Sequence, residues 1–162
     1  HFLFSLNPSQ IEVVIHPQSI IHSLACFDDG SVISQLGLAD MRTAISYALS
    51  YPERQNSGVQ TLDLTKQKPL EFFPPNLESY PCLRLAYEAL REGKSLPGTL
   101  NAANEVAVDA FLKGKVDFLG IAKIIENTLA KAPAYELDSV SVIVENDRTS
   151  RQIAKSIVES GI

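Results

Sequence analysis

The chain has 162 residues, 45% of them apolar and 20% charged, which is enough to close a hydrophobic core in one or two domains. A formal charge of −5 with no local Lys/Arg cluster argues against a nucleic-acid partner, because binding by counterion release needs a basic surface. No window approaches the roughly 20 apolar residues of a membrane span, and HFLFSLNPSQ lacks the basic start and cleavage site of a signal peptide, so a soluble chain with no membrane partner is expected.

In chain order, IEVVIH and IIHSLACF are rich in β-branched residues, and Asp28-Asp29-Gly30 supplies the turn of a hairpin into SVISQLG. A small antiparallel sheet over 11–37 is expected. Asp40 is placed to cap MRTAISYALSY, where Met41, Ile45, Ala48 and Leu49 share a face that should cover the sheet, and Pro52 stops it. Residues 53–80 carry Gly58, Pro69, Pro74 and Pro75 with little periodicity and read as an ordered connection with one short strand at most. Pro81 suits a first helical position, and Leu83, Ala86, Tyr87 and Leu90 keep helical spacing as far as Gly93. A helix is expected after Gly98-Thr99, with Leu100, Ala103, Ala107, Ala110 and Phe111 on its apolar face and Gly114 as its stop. Another follows Asp117, aligns Phe118, Ile121, Ile125 and Leu129, and ends before Pro133. SVSVIVE reads as a short strand before a last helix around Arg151–Val158. The class is α+β: a small antiparallel sheet covered by helices, then a C-terminal helical bundle, divided as 1–58, a connection over 59–80, and 81–162.

Residues with chemical potential are few. His16 and His22 stand six apart, but no HExxH and no His/Cys cluster accompanies them, so no metal site is written here. Pro17 cannot donate to a ladder and marks a bulge or turn between the two. Hydrogen-bonded histidines beside the sheet are the plain reading, with proton transfer as the alternative. The sequence has no GxSxG elbow, GxGxxG or P-loop. Asn101 and Asn104 place two poor helix formers in one turn and, with Glu105, are expected to brace the 94–99 loop or the sheet domain, a direct substrate contact being the alternative. Cys26 and Cys82 lack CxxC spacing and read as reduced thiols of a cytosol-like compartment.

IEVVIHPQSIIHS, DGSVISQLG, DMRTAI, YPER followed by SGV and LDL, YPCLRLA and LNAANEVAVDAFL occur in an order and spacing that resemble the 1-deoxy-D-xylulose 5-phosphate reductoisomerase family, over roughly residues 9–155. The resemblance implies an oxidoreductase of non-mevalonate isoprenoid biosynthesis. Such an enzyme rearranges 1-deoxy-D-xylulose 5-phosphate and reduces the product to 2-C-methyl-D-erythritol 4-phosphate with NADPH and a divalent metal, Mg or Mn. The family's GSTGSIG, DSE, SGG and KGLE segments and its lid tryptophan have no counterpart here. The chain is therefore expected to be the rear of the catalytic domain plus the C-terminal bundle, with HFLFS a helix remnant. Alone it is expected to be inactive and to hold neither cofactor nor metal.

By the same resemblance Ser19, His22 and Met41 lie along the substrate and cofactor cleft wall. None is a metal ligand, and His22 is the one catalytic candidate, His16 being structural. A bulge near Pro17 would aim Ser19 and His22 off the sheet, and the Met41 thioether would adapt to a nicotinamide ring. Ala39 and Ala44 stand where the family usually has proline. The resemblance further implies a homodimer through the 11–37 sheet, a small phosphorylated sugar substrate, and a bacterial cytoplasm or plastid. The alternatives are a self-associating structural module and a stand-alone small-ligand binding domain.

Overall fold

The structure is a computed structural model that describes residues 3–161. Among the described residues, two strands and five α-helices make it α+β, as expected, and its contacts gather into two compact units, Val13–Pro75 and a second joining His1–Glu12 to Asn76–Ile162.

In Val13–Pro75 the hairpin forms where its turn chemistry lies. Strand β1 (Ile21–Cys26) pairs antiparallel with β2 (Val32–Leu36). The Asp29 carboxylate accepts from the Ser31 amide at 2.8 Å and its hydroxyl at 2.6 Å, while Gly30 takes a φ of +83° that a side chain would oppose. The first expected strand is absent. IEVVIH contributes only the bridge Ile15–Phe73, because the chain turns at Pro17, with the Ser19 amide donating to the His16 carbonyl and Ser19 at φ +51°. Helix α1 (Met41–Ser50) begins on Asp40 as expected. Against the expectation from its apolar face, it does not pack on the sheet but flanks a groove at the His22–Gln35 end; Leu24, Val32 and Ile33 stay exposed, since a two-stranded ribbon and one ten-residue helix cannot enclose both sheet faces. In the connection, the bridge at Phe73 is the only strand-like pairing and Leu64–Lys66 forms one 3-10 turn.

The second unit is the helical bundle. Helix α2 (Pro81–Glu92) has Pro81 at its first position and stops at Gly93, φ +73°. Helix α3 (Leu96–Leu112) starts earlier than expected: Leu96 and Pro97 occupy its first turn and Gly98 and Thr99 lie inside it. Proline is tolerated there because its missing amide would have been an orphan, and a Cβ on Gly98 would lie 3.4 Å from the Asn146 amide nitrogen, so glycine keeps the neighbouring helix close. Helix α4 (Phe118–Lys131) is capped by Asp117, which accepts from the Gly120 amide at 2.6 Å. Helix α5 (Val140–Ser160) replaces the expected strand. The Ser139 hydroxyl caps it, Arg148 and Arg151 pair along it with Glu145 and Asp147, and Asn146, Ser150, Ala154 and Ile157 form its buried stripe. Packing on that stripe overrides the β-propensity of Val140, Val142, Ile143 and Val144.

Ala103 and Ala107 of α3 are fully buried against Ile124 and Ile125 of α4 and Ala154 of α5. Small side chains on α3 let both neighbours approach, and each buried isoleucine contributes about 1.5–3 kcal/mol by leaving water. A buried polar strand of contacts runs beside this core. The Ser150 hydroxyl donates to Thr99, Thr99 to the Asn146 side-chain oxygen, and the Asn146 amide to the Ser95 carbonyl. Asn101 and Glu105 brace α5 rather than the 94–99 loop. Asn101 donates to one Glu105 oxygen at 3.0 Å and Arg151 to the other at 2.8 Å, a geometry set by the helix spacing. The Tyr87 hydroxyl donates to the Ile11 carbonyl, tying the start of the chain to α2. Leu3–Ser5 form a turn rather than a helix remnant, and His1 and Phe2 of that expectation lie outside the described residues.

Candidate functional site

A groove of about 630 Å³ opens in the Val13–Pro75 unit, with His22 and Gln35 of the hairpin on one side and Met41, Ala44 and Tyr47 of α1 on the other. Its position follows from one irregularity. Ile21 pairs with Leu36 and Ser23 with Gln35, so His22 is the extra residue of a β-bulge, which turns a side chain out of the alternating pattern. The His22 Nδ1 lies 3.1 Å from the Gln35 side-chain oxygen. The strand end is closed by the Gly37 amide donating to the Ile20 carbonyl, and Ile20 is the one buried apolar residue among those described in this unit.

The other wall is set by the start of α1. Asp40 accepts from the Arg42 amide at 2.9 Å and holds its guanidinium through Nε at 3.1 Å and Nη2 at 2.7 Å. Those hydrogen bonds, the side-chain ones first, keep the Asp40 carboxyl below the ordinary carboxylate range, so it is an ionised cap rather than a proton donor. Met41 follows at the first helical position, 70% exposed. Arg54 lies over the Tyr47 ring at 4.3 Å and also lines the groove.

Of the sequence candidates, His22 and Met41 meet at this groove, and Ser19 does not line it. Ser19 is exposed in a left-handed turn, and its hydroxyl has no partner among the described residues. The bulge lies at His22 itself, not near Pro17, because the 16–19 turn absorbs the proline before the ladder begins. His16 serves the fold: its Nδ1 donates to the Glu71 carbonyl at 2.8 Å and its ring stacks on Phe72 at 4.7 Å. Gln18 completes that clamp by exchanging two hydrogen bonds with Glu71. Gln35, Tyr47 and Arg54 escaped sequence reasoning. Arg54 sits in the quoted YPER, but nothing local marks it as facing a groove. No group of three or more His, Cys, Asp or Glu residues among those described could hold a metal ion, and Cys26 and Cys82 are free.

A model of the DXP reductoisomerase C-terminal domain matches residues 36–153. The chain is 52% identical, over 98% of its length, to the 1-deoxy-D-xylulose 5-phosphate reductoisomerase of Vesicomyosocius okutanii, and 51% identical to that of Cupriavidus pinatubonensis. It spans 42% of the first and 40% of the second. Among solved structures it resembles the reductoisomerase of Zymomonas mobilis in complex with NADPH, with a TM-score of 0.90 and 39% identity over 97% of this chain and 42% of that one. A second, with NADPH, fosmidomycin and magnesium, gives a TM-score of 0.91 and 41% identity over 97% of this chain and 41% of that one.

Because the folded Asp40 value is depressed, its cap stabilises α1 fully above the ordinary aspartate value near about 3.9, and the effect is lost as pH falls through the lowered value. Asp40→Ala is expected to speed amide exchange at Arg42 and Thr43 at neutral pH, and the difference from wild type should vanish in strong acid. Equal exchange at neutral pH would contradict the cap.

Proposed function

The chain belongs to the 1-deoxy-D-xylulose 5-phosphate reductoisomerase family through its C-terminal domain, and from that membership we propose that it forms one wall of the catalytic cleft in such an enzyme. The whole protein converts 1-deoxy-D-xylulose 5-phosphate to 2-C-methyl-D-erythritol 4-phosphate in non-mevalonate isoprenoid biosynthesis, as an oxidoreductase dependent on NADPH and a divalent metal. Relatives of which this chain spans about 42% support that reading, as do similar structures bearing NADPH, fosmidomycin and magnesium. The Val13–Pro75 unit is assigned to the catalytic and dimerisation part, and Asn76–Ile162, with the start of the chain packed on it, to the bundle.

The observation that carries the proposal is the groove in which the bulged His22 faces Met41. NADPH, when bound, supplies the hydride that reduces the aldehyde. Leu38, Ala39, Met41 and Ala44 give the groove an apolar lining suited to one face of a planar nicotinamide, and the polarisable thioether of Met41 can follow that face while excluding water. His22 orients the sugar by hydrogen bonding, and Ser19, which does not line the groove, is assigned no contact in it. The described residues do not fit a metal centre, so ligation of the ion is assigned to the remainder of the whole protein. Homodimerisation through the hairpin is supported by the exposed Val32 and Ile33 of its edge strand, and sedimentation of the whole protein should give a dimer, a lone monomer at high concentration removing that assignment. The bacterial relatives support a cytoplasmic location.

In the whole enzyme His22→Gln should lower kcat/KM by about tenfold or more, whereas His16→Gln should stay within about threefold while lowering the melting temperature. Equal losses in steady-state kinetics would overturn the assignment.

A further inference from the structure

The groove geometry fixes which nitrogen of His22 is free to face a substrate. The Gln35 side-chain nitrogen donates to the Leu36 carbonyl at 3.1 Å, a contact only the amide nitrogen can make, because a carbonyl oxygen cannot donate. That sets the orientation of the Gln35 amide. Its oxygen therefore faces His22 Nδ1 at 3.1 Å, and since an amide oxygen only accepts, Nδ1 must carry the proton. In the neutral ring Nε2 is then a bare acceptor. The bulge leaves His22 beside Gln35 rather than displacing it, because His22 and Ser23 together stand opposite that single residue. The charged groups at the groove do not compete for Nδ1: Asp40 is held by Arg42, and Arg54 lies on Tyr47.

We propose that Gln35 is a positioning residue that locks His22 in its Nδ1–H tautomer, so that Nε2 accepts a hydrogen bond from a hydroxyl group of the sugar phosphate. This rests on the reading of the groove as the substrate cleft. A free imidazole prefers the proton on Nε2, and a ring in that form would meet a substrate hydroxyl with a donor. Gln35 thus selects the polarity of the contact. Its side chain is exposed, so replacing it opens no cavity.

The test is nitrogen-15 NMR of the whole enzyme labelled at histidine, at a pH where the ring is neutral, with the His22 signals identified by their loss in His22→Gln. The wild type should show Nδ1 protonated and Nε2 bare. Gln35→Met should move the proton to Nε2 and lower kcat/KM by about three- to tenfold, the loss of one hydrogen bond of the right polarity. Gln35→Glu, whose carboxylate can only accept, should keep the Nδ1–H form. A wild-type ring protonated on Nε2, or a tautomer unmoved by Gln35→Met, overturns the proposal. So does a switched tautomer with unchanged kcat/KM while His22→Gln remains damaging, which would leave the cleft reading intact. If neither Gln35→Met nor His22→Gln lowers kcat/KM, the cleft reading itself fails.

Discussion

The site depends on one extra residue in a two-stranded ladder. With strict alternation from Ile21 to Cys26, His22 would stand opposite Gln35 as an ordinary cross-strand neighbour; the bulge instead sets both His22 and Ser23 against Gln35 and bends the strand where the groove begins. The remaining features of the unit serve that bend. The His16 and Gln18 clamp on Glu71 and Phe72 holds the approach to β1, the Gly37–Ile20 hydrogen bond closes its far side, and Asp40 starts α1 at the point where Met41 completes the opposite wall. A ribbon with almost nothing buried keeps its shape through such directional contacts, because it has little apolar burial to draw on.

The bundle follows a different rule. Alanines at the centre of α3 allow α4 and α5 to approach closely, and isoleucines from α4 fill the space between them. The buried hydroxyls and amide of Ser95, Thr99, Asn146 and Ser150 are satisfied by one another and by backbone, which fixes the register of α5 on α3 without leaving an unpaired polar group. Surface pairs such as Arg151 with Glu105 and Asp147 add orientation and little net stability, being largely open to water.

Local signals in the sequence were sufficient for features that local chemistry decides. The Asp29-Gly30 turn, the caps Asp40 and Asp117, Pro81 and Gly93 all lie where their side-chain and backbone preferences put them. Features decided by distant partners were not legible. Val140–Val144 carry β-branched residues yet form a helix, because the stripe from Asn146 to Ile157 finds its partners on other helices. IEVVIH has strand composition yet pairs at one point only, because its continuation is a turn. His22 and Met41 could be singled out by resemblance, but Gln35 could not, since a one-residue register offset leaves no mark in an alternating sequence.

Above all, the groove between the bulge and α1 is proposed to receive the cofactor and substrate of a reductoisomerase. The most direct measurement is carbon-13 NMR of methionine methyl groups in the whole protein, with Met41 identified by its loss in Met41→Leu. Saturating NADPH should shift the Met41 resonance through the ring current of the nicotinamide, and a substrate analogue should shift it further. A Met41 resonance unmoved by either, in a protein that binds both, would contradict the account.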